Sequence, residues 1–155
     1  MKKYELTKET VTVYGKTLYR IRAVRDFGSV KTGEFGGYIE KEENLSHFDN
    51  AWVCGNAWVY GNARVCGNAW VYGNAEVSNT RHYFVQGPIG SRDGFATFYR
   101  TKDDTIAVKC GCFLGSLQEF VNQVEKTHKG NKYEKEYKLA AELAKVCIRL
   151  DGESK

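Results

Sequence analysis

Between residues 50 and 79 the apolar and polar positions alternate in units of six. The chain reads NAWVCG, NAWVYG, NARVCG, NAWVYG and NAEVSN, with valine at 53, 59, 65, 71 and 77 and alanine at 51, 57, 63, 69 and 75. An amphipathic helix needs an apolar period near 3.6, which six does not match. In extended backbone, neighbouring residues face opposite sides, so Ala and Val, two apart, share one face. The residue between them (Trp52, Trp58, Arg64, Trp70 or Glu76) takes the other face. Gly-Asn pairs at 55–56, 61–62, 67–68 and 73–74 supply corners, because both residues tolerate positive φ. The pattern predicts a short strand and a bend, repeated. Ile39 and Leu45 extend the six-residue spacing upstream. Leu45 and Val53 are eight apart, so two extra residues bulge out near Ser46–Asp49.

The flanks have different periods. Val11–Tyr14 and Thr17–Ala23 surround Gly15-Lys16 and predict a hairpin, with Tyr19, Ile21 and Ala23 on one face and Arg20 and Arg22 on the other. After the repeat, His82–Gln86, Phe95–Thr101 and Thr105–Cys110 predict three strands. Ser116 with Glu119 forms a capping box opening a helix with Leu117, Phe120, Val121 and Val124 inward. Gly130 ends that helix, and Asn131 caps a second one running to about Arg149.

The repeat unit, an aliphatic residue followed four positions later by a small one, resembles that of the hexapeptide-repeat proteins. Val53 with Ala57, Val59 with Ala63, Val65 with Ala69 and Val71 with Ala75 carry the likeness. The resemblance implies a left-handed parallel β-helix in which three units make a turn and residues eighteen apart stack, Trp52 over Trp70 and Trp58 over Glu76. Gly33–Glu40, Glu43–Ser46, Gly87–Arg92 and Cys110–Phe113 are in addition similar to segments of phage and prophage proteins usually labelled hexapeptide transferases. The fold class expected is mainly β with a C-terminal α+β part. Its plan is an N-terminal β cap over 1–35, a short left-handed β-solenoid over 36–80, a β-sheet plus two-helix domain over 81–150, and a frayed tail over 151–155.

Composition narrows the function. In 155 residues, 42% are hydrophobic and 27% charged, which excludes intrinsic disorder. The net charge is only +4 and is not concentrated in any segment, which argues against binding a nucleic-acid polymer. No apolar run approaches a membrane span, and no signal peptide is visible. With five cysteines and no export signal, the expectation is reduced thiols in a cytoplasm, that of the host cell if the protein is phage-encoded.

Candidate chemistry follows from a few residues. The resemblance implies a CoA-dependent acyltransferase as one alternative, with His47 as general base and Asp49 orienting it. No catalytic set is otherwise complete, no cofactor is called for outside that alternative, and the cysteine spacing fits no metal site. Cys54 and Cys66 occupy equivalent repeat positions and read as packing. Cys110 or Cys112 as a nucleophile would need a base that the sequence does not identify. Gly90, Ser91 and Arg92 form a glycine-rich turn with a hydroxyl and a guanidinium, a set suited to an anion, to which Arg100, Arg20 and Arg22 add charge. Trp52, Trp58, Trp70, Tyr60 and Tyr72 are expected on the outside, forming an oligomer interface or stacking on a flat ligand. The leading expectation is a non-catalytic homo-oligomer, a trimer by likeness to related solenoids. It would capture an anionic, nucleotide-like small molecule or dock on a host protein.

Overall fold

The computed structural model describes residues 2–151. The chain forms two compact units, 1–80 and 81–155. Of the expected frayed tail, residues 152–155 lie outside the described residues, whereas Asp151 is fixed by an ion pair to Arg100 at 2.6 Å.

In unit 1, β1 (Tyr4–Val13) and β2 (Lys16–Ala23) make an antiparallel hairpin, and β3 (Phe35–Ile39) runs antiparallel to β2. The repeat contributes four two-residue strands: β4 (Trp52–Val53), β5 (Trp58–Val59), β6 (Trp70–Val71) and β7 (Glu76–Val77). One sheet has the order β1-β2-β3-β5-β7, and β4 pairs with β6 in a second. Trp52 pairs with Trp70 and Trp58 with Glu76, the eighteen-residue offset. Across the two-residue insertion the offset becomes twenty, with Ile39 beside Val59 and Leu45 bridged to Val65.

The fold class expected from the repeat is therefore corrected. The chain is mixed β with two C-terminal helices, built from short antiparallel and mixed sheets rather than as a left-handed parallel β-helix. The longer strands of unit 1 pair antiparallel with one another, and every parallel ladder involves at least one two-residue strand, apart from a single bridge. The physical cause is β3. It pairs antiparallel with β2 on one edge and parallel with β5 on the other, so the hairpin is continuous with the repeat strands.

All five repeat alanines and all five repeat valines are buried, and the four corner glycines take φ of 59–69°. The N-terminus latches over this interior. Lys3 Nζ donates to the carbonyls of Asp49 (3.0 Å) and Ala51 (2.6 Å), while Tyr4 Oη donates to those of Glu42 (3.0 Å) and Leu45 (2.7 Å). Beneath them Trp52 meets Phe27 edge-on at 5.1 Å. Burial pulls the Lys3 ammonium down to about 8, partly offset by Asp49.

In unit 2 the sheet order is β11-β10-β9-β8, all antiparallel, from β8 (Tyr83–Ile89), β9 (Gly94–Arg100), β10 (Ile106–Cys110) and β11 (Phe113–Ser116). Helices α1 (Leu117–His128) and α2 (Lys132–Cys147) follow. Ser116 and Glu119 close the capping box on α1, and the Asn131 side chain caps α2. Alternation along the strands directs Ala96, Phe98 and Val108 into one core with Phe120, Val124, Ala140, Ala141, Ala144 and Ile148 of the helices. This topology brings the 90–93 and 111–112 turns to one end of the sheet and Arg100 to the other.

At the Arg100 end, His82 is buried. Desolvation, reinforced by the Arg100 guanidinium, lowers its pKa to about 4. The folded-state value lies below the ordinary 6.5, so stability is full above about pH 6.5 and falls as pH drops towards 4. Denaturant titrations across this range should show an acid loss on the order of 3 kcal/mol, which His82→Gln flattens. In unit 1, Val65→Asp places a charge in the dry interior and costs several kcal/mol, so the 1–80 unit should lose its cooperative thermal transition.

Candidate functional site

His47 sits in the loop created by the two-residue insertion, as its sequence position implies, but it is not poised as a base. Its Nδ1 accepts the Lys3 backbone N–H at 3.1 Å, which puts the ring proton on Nε2, 2.9 Å from Glu42 Oε1. The ring stacks on Tyr4 at 4.1 Å with an interplanar angle of 11°. Both nitrogens are committed within the fold, and Glu42, not Asp49, orients the ring. Asp49 instead accepts the N–H groups of Ala51 (3.2 Å) and Gly67 (2.6 Å). Residues expected in an acyltransfer site thus hold the latch together.

The six residues expected to gather around an anion are divided between the two units and, within unit 2, between the two ends of the sheet. Arg20 and Arg22 belong to unit 1 and face acidic partners on β1. Arg20 pairs with Glu9 at 2.9 Å and donates to Gly36 O and Tyr38 Oη, and Arg22 pairs with Glu5. Arg100, in unit 2, is buried between Asp151 (2.6 Å) and Asp104 (3.6 Å). Gly90, Ser91 and Arg92 remain together in the turn between β8 and β9, where Arg92 is exposed. The Gly90 N–H is already taken by Glu136 Oε1 at 2.7 Å.

The aromatic surface expected from the repeat is also revised. Trp52 and Tyr60 are buried, Trp58, Trp70 and Tyr72 are half-buried, and Tyr60 donates to Glu76 Oε2 at 2.6 Å. Two causes lie within unit 1: Tyr4 and Phe27 cover Trp52, and Trp58 packs on Val13, Leu18, Tyr38 and Tyr60. Tyr14, Phe35 and Phe48 are large exposed apolar side chains outside the repeat in unit 1, and in unit 2 Leu139, Leu143 and Val146 form an exposed stripe on α2.

Concave space with convergent chemistry occurs at the turn end of unit 2. A cleft of about 220 Å³ opens between the β10–β11 turn and the two helices. Its walls are Phe113, Phe120 and Tyr137, with Val124 at the base and Gln123, Thr127, His128, Cys110 and Cys112 supplying polar atoms. The rings form a connected series. Phe113 meets Phe120 at 5.5 Å, Phe120 meets Tyr137 at 5.7 Å, and Tyr137 meets His128 at 5.5 Å. Burial pushes the Cys110 thiol up, so it is held as S–H beside the Tyr137 hydroxyl, with which it hydrogen-bonds. A thiol raised in this way reacts slowly with a diffusing substrate, so the cleft favours binding over covalent catalysis.

Tyr137 also explains Gly90. A Cβ on Gly90 would overlap the Tyr137 hydroxyl, and the residue has φ of 80°. The glycine-rich turn therefore backs the aromatic cleft, and Tyr137 touches both. The sequence pattern had assigned Phe120 to the inward face of its helix, as the core of unit 2 bears out, without showing that it also walls a cleft. The missing signal was β11, whose four residues fold Phe113 back over α1.

Among the described residues, no group of three or more His, Cys, Asp or Glu side chains is arranged to hold a metal ion. No helix among them is long and apolar enough to cross a membrane. No protein-family model matches the chain, and no curated protein matches its sequence.

Gly90→Ala combines a strained φ with displacement of Tyr137, so we expect unit 2 to lose about 2–4 kcal/mol, read from its denaturant midpoint.

Proposed function

We propose that the protein is a non-catalytic binding protein that captures a small planar aromatic molecule carrying an anionic group, nucleotide-like in outline. The ring would enter the unit 2 cleft, and the anion would meet the Ser91–Arg92 turn. The observation that carries this reading is Tyr137, which walls the aromatic cleft and rests on Gly90 of the anion-suited turn. Edge and face contacts with Phe113, Phe120 and Tyr137 suit a flat ring, and Gln123, Thr127 and His128 offer hydrogen bonds to its edge. The exposed Arg92 guanidinium presents a fork matched to phosphate or carboxylate.

The raised Cys110 thiol and the commitment of both His47 nitrogens favour capture over turnover. The likeness of the repeat to phage and prophage proteins is compatible with a sequestering factor of the host cytoplasm, where five free cysteines would stay reduced.

Calorimetric titration with AMP, adenosine and inorganic phosphate tests this directly. AMP should bind, adenosine about tenfold more weakly, and Phe113→Ala should abolish binding of both. Arg92→Ala should reduce AMP affinity to that of adenosine without changing the melting temperature. If AMP does not bind at millimolar concentration, or binds Phe113→Ala equally well, the cleft is not the site.

A further inference from the structure

Two thiols enter the same cleft from one tight turn. Cys110 ends β10 and pairs with Phe113 at the start of β11, so Gly111 and Cys112 alone make the connection. Both cysteines are free, Cys112 is exposed, and both line the aromatic cleft. A disulfide needs Cα atoms roughly 4.4–6.8 Å apart. Two trans peptide units span about 7 Å when extended and less where the chain turns back, so residues two apart in a tight turn fall within that range. Gly111 between the cysteines takes φ of 57°, the left-handed backbone that lets the chain double back over so short a span.

We infer that Cys110 and Cys112 are a thiol–disulfide pair that closes the unit 2 cleft when oxidised. The inference rests on the cleft being the ligand site. The co-reactant is a small-molecule disulfide such as oxidised glutathione. The more accessible Cys112, as thiolate, attacks one glutathione sulfur and expels a glutathione thiolate, giving a mixed disulfide. Cys110 then loses its proton to solvent and attacks Cys112 Sγ, expelling the second glutathione. Two protein thiols are oxidised to one disulfide, and one glutathione disulfide is reduced to two thiols.

The structural effect is local. Forming the bond draws the Cys110 sulfur away from the Tyr137 hydroxyl that donates to it and that lies over Gly90. It also draws Cys112 inward across the mouth bounded by Phe113. Tyr137 loses its hydrogen-bond partner as the cleft narrows, so ring and anion contacts weaken together.

The test uses the full-length protein in glutathione buffers of graded ratio, with peptide mapping of the linkage and AMP titration at each ratio. The expected result is a Cys110–Cys112 disulfide, seen as the loss of two hydrogens in that peptide, with AMP affinity at least about tenfold lower. Reduction by dithiothreitol should restore the affinity. In Cys112→Ser the ratio of affinities with and without oxidised glutathione should be one. A glutathione adduct that persists on Cys112, or an intramolecular disulfide with unchanged AMP affinity, overturns the switch while leaving the cleft as a binding site. Absence of AMP binding to the reduced protein overturns both.

Discussion

The interior of unit 1 has room for an alanine methyl and a valine at each step, and this narrowness dictates the rest of that unit. Alanines 51, 57, 63, 69 and 75 and valines 53, 59, 65, 71 and 77 are at most 1% exposed. Because close-packed interiors tolerate neither voids nor extra methylenes, the chain must turn sharply after every short strand. Glycine corners follow from that need. So does the close approach of β3, where a Cβ on Gly36 or Gly37 would collide with backbone of the 53–57 segment. An interior this thin buries little surface per residue, which is why Lys3, Tyr4 and Phe27 are drafted to cover Trp52.

Unit 2 solves the same problem by different means. A four-stranded sheet presents Ala96, Phe98 and Val108 to two amphipathic helices, and Phe120 stands at the centre, in contact with Phe98, Phe113 and Tyr137. The aromatic series does not end in the core but runs out to His128 at the surface. The cleft is thus the unfinished edge of the core, where the helices diverge from the β10–β11 turn. Binding surface of this kind costs little to build, since the same rings already stabilise the unit.

Much of the local structure was legible in the sequence, for identifiable reasons. The Ser116/Glu119 box and the Asn131 cap are short-range hydrogen-bond signals, and they locate both helix starts. The eighteen-residue pairing follows from a repeat that leaves the backbone few alternatives. The class of the fold was not legible, because it depends on β3 pairing antiparallel and parallel at once, a long-range choice that no periodicity encodes. The candidate site was hidden for a related reason. Arg20, Arg22 and Arg100 looked available as charges, but Glu9, Glu5 and Asp151 lie at sequence distances of 11, 17 and 51. Phe120 read as core alone, because a helical stripe does not reveal where the core stops.

The latch formed by Lys3 and Tyr4 has a consequence for how the protein is made. Its acceptors lie at residues 42–51, so Lys3 and Tyr4 can be secured only after the repeat has begun to emerge from the ribosome. The hairpin of β1 and β2 can form early, with its inner residues Leu18 and Ile21 lacking their native cover. During that interval the nascent chain carries an exposed apolar face and an unpaired β2 edge, the kind of surface that chaperones engage. Synthesis from the other terminus would not impose this delay. The direction of translation therefore fixes which half of unit 1 has to wait.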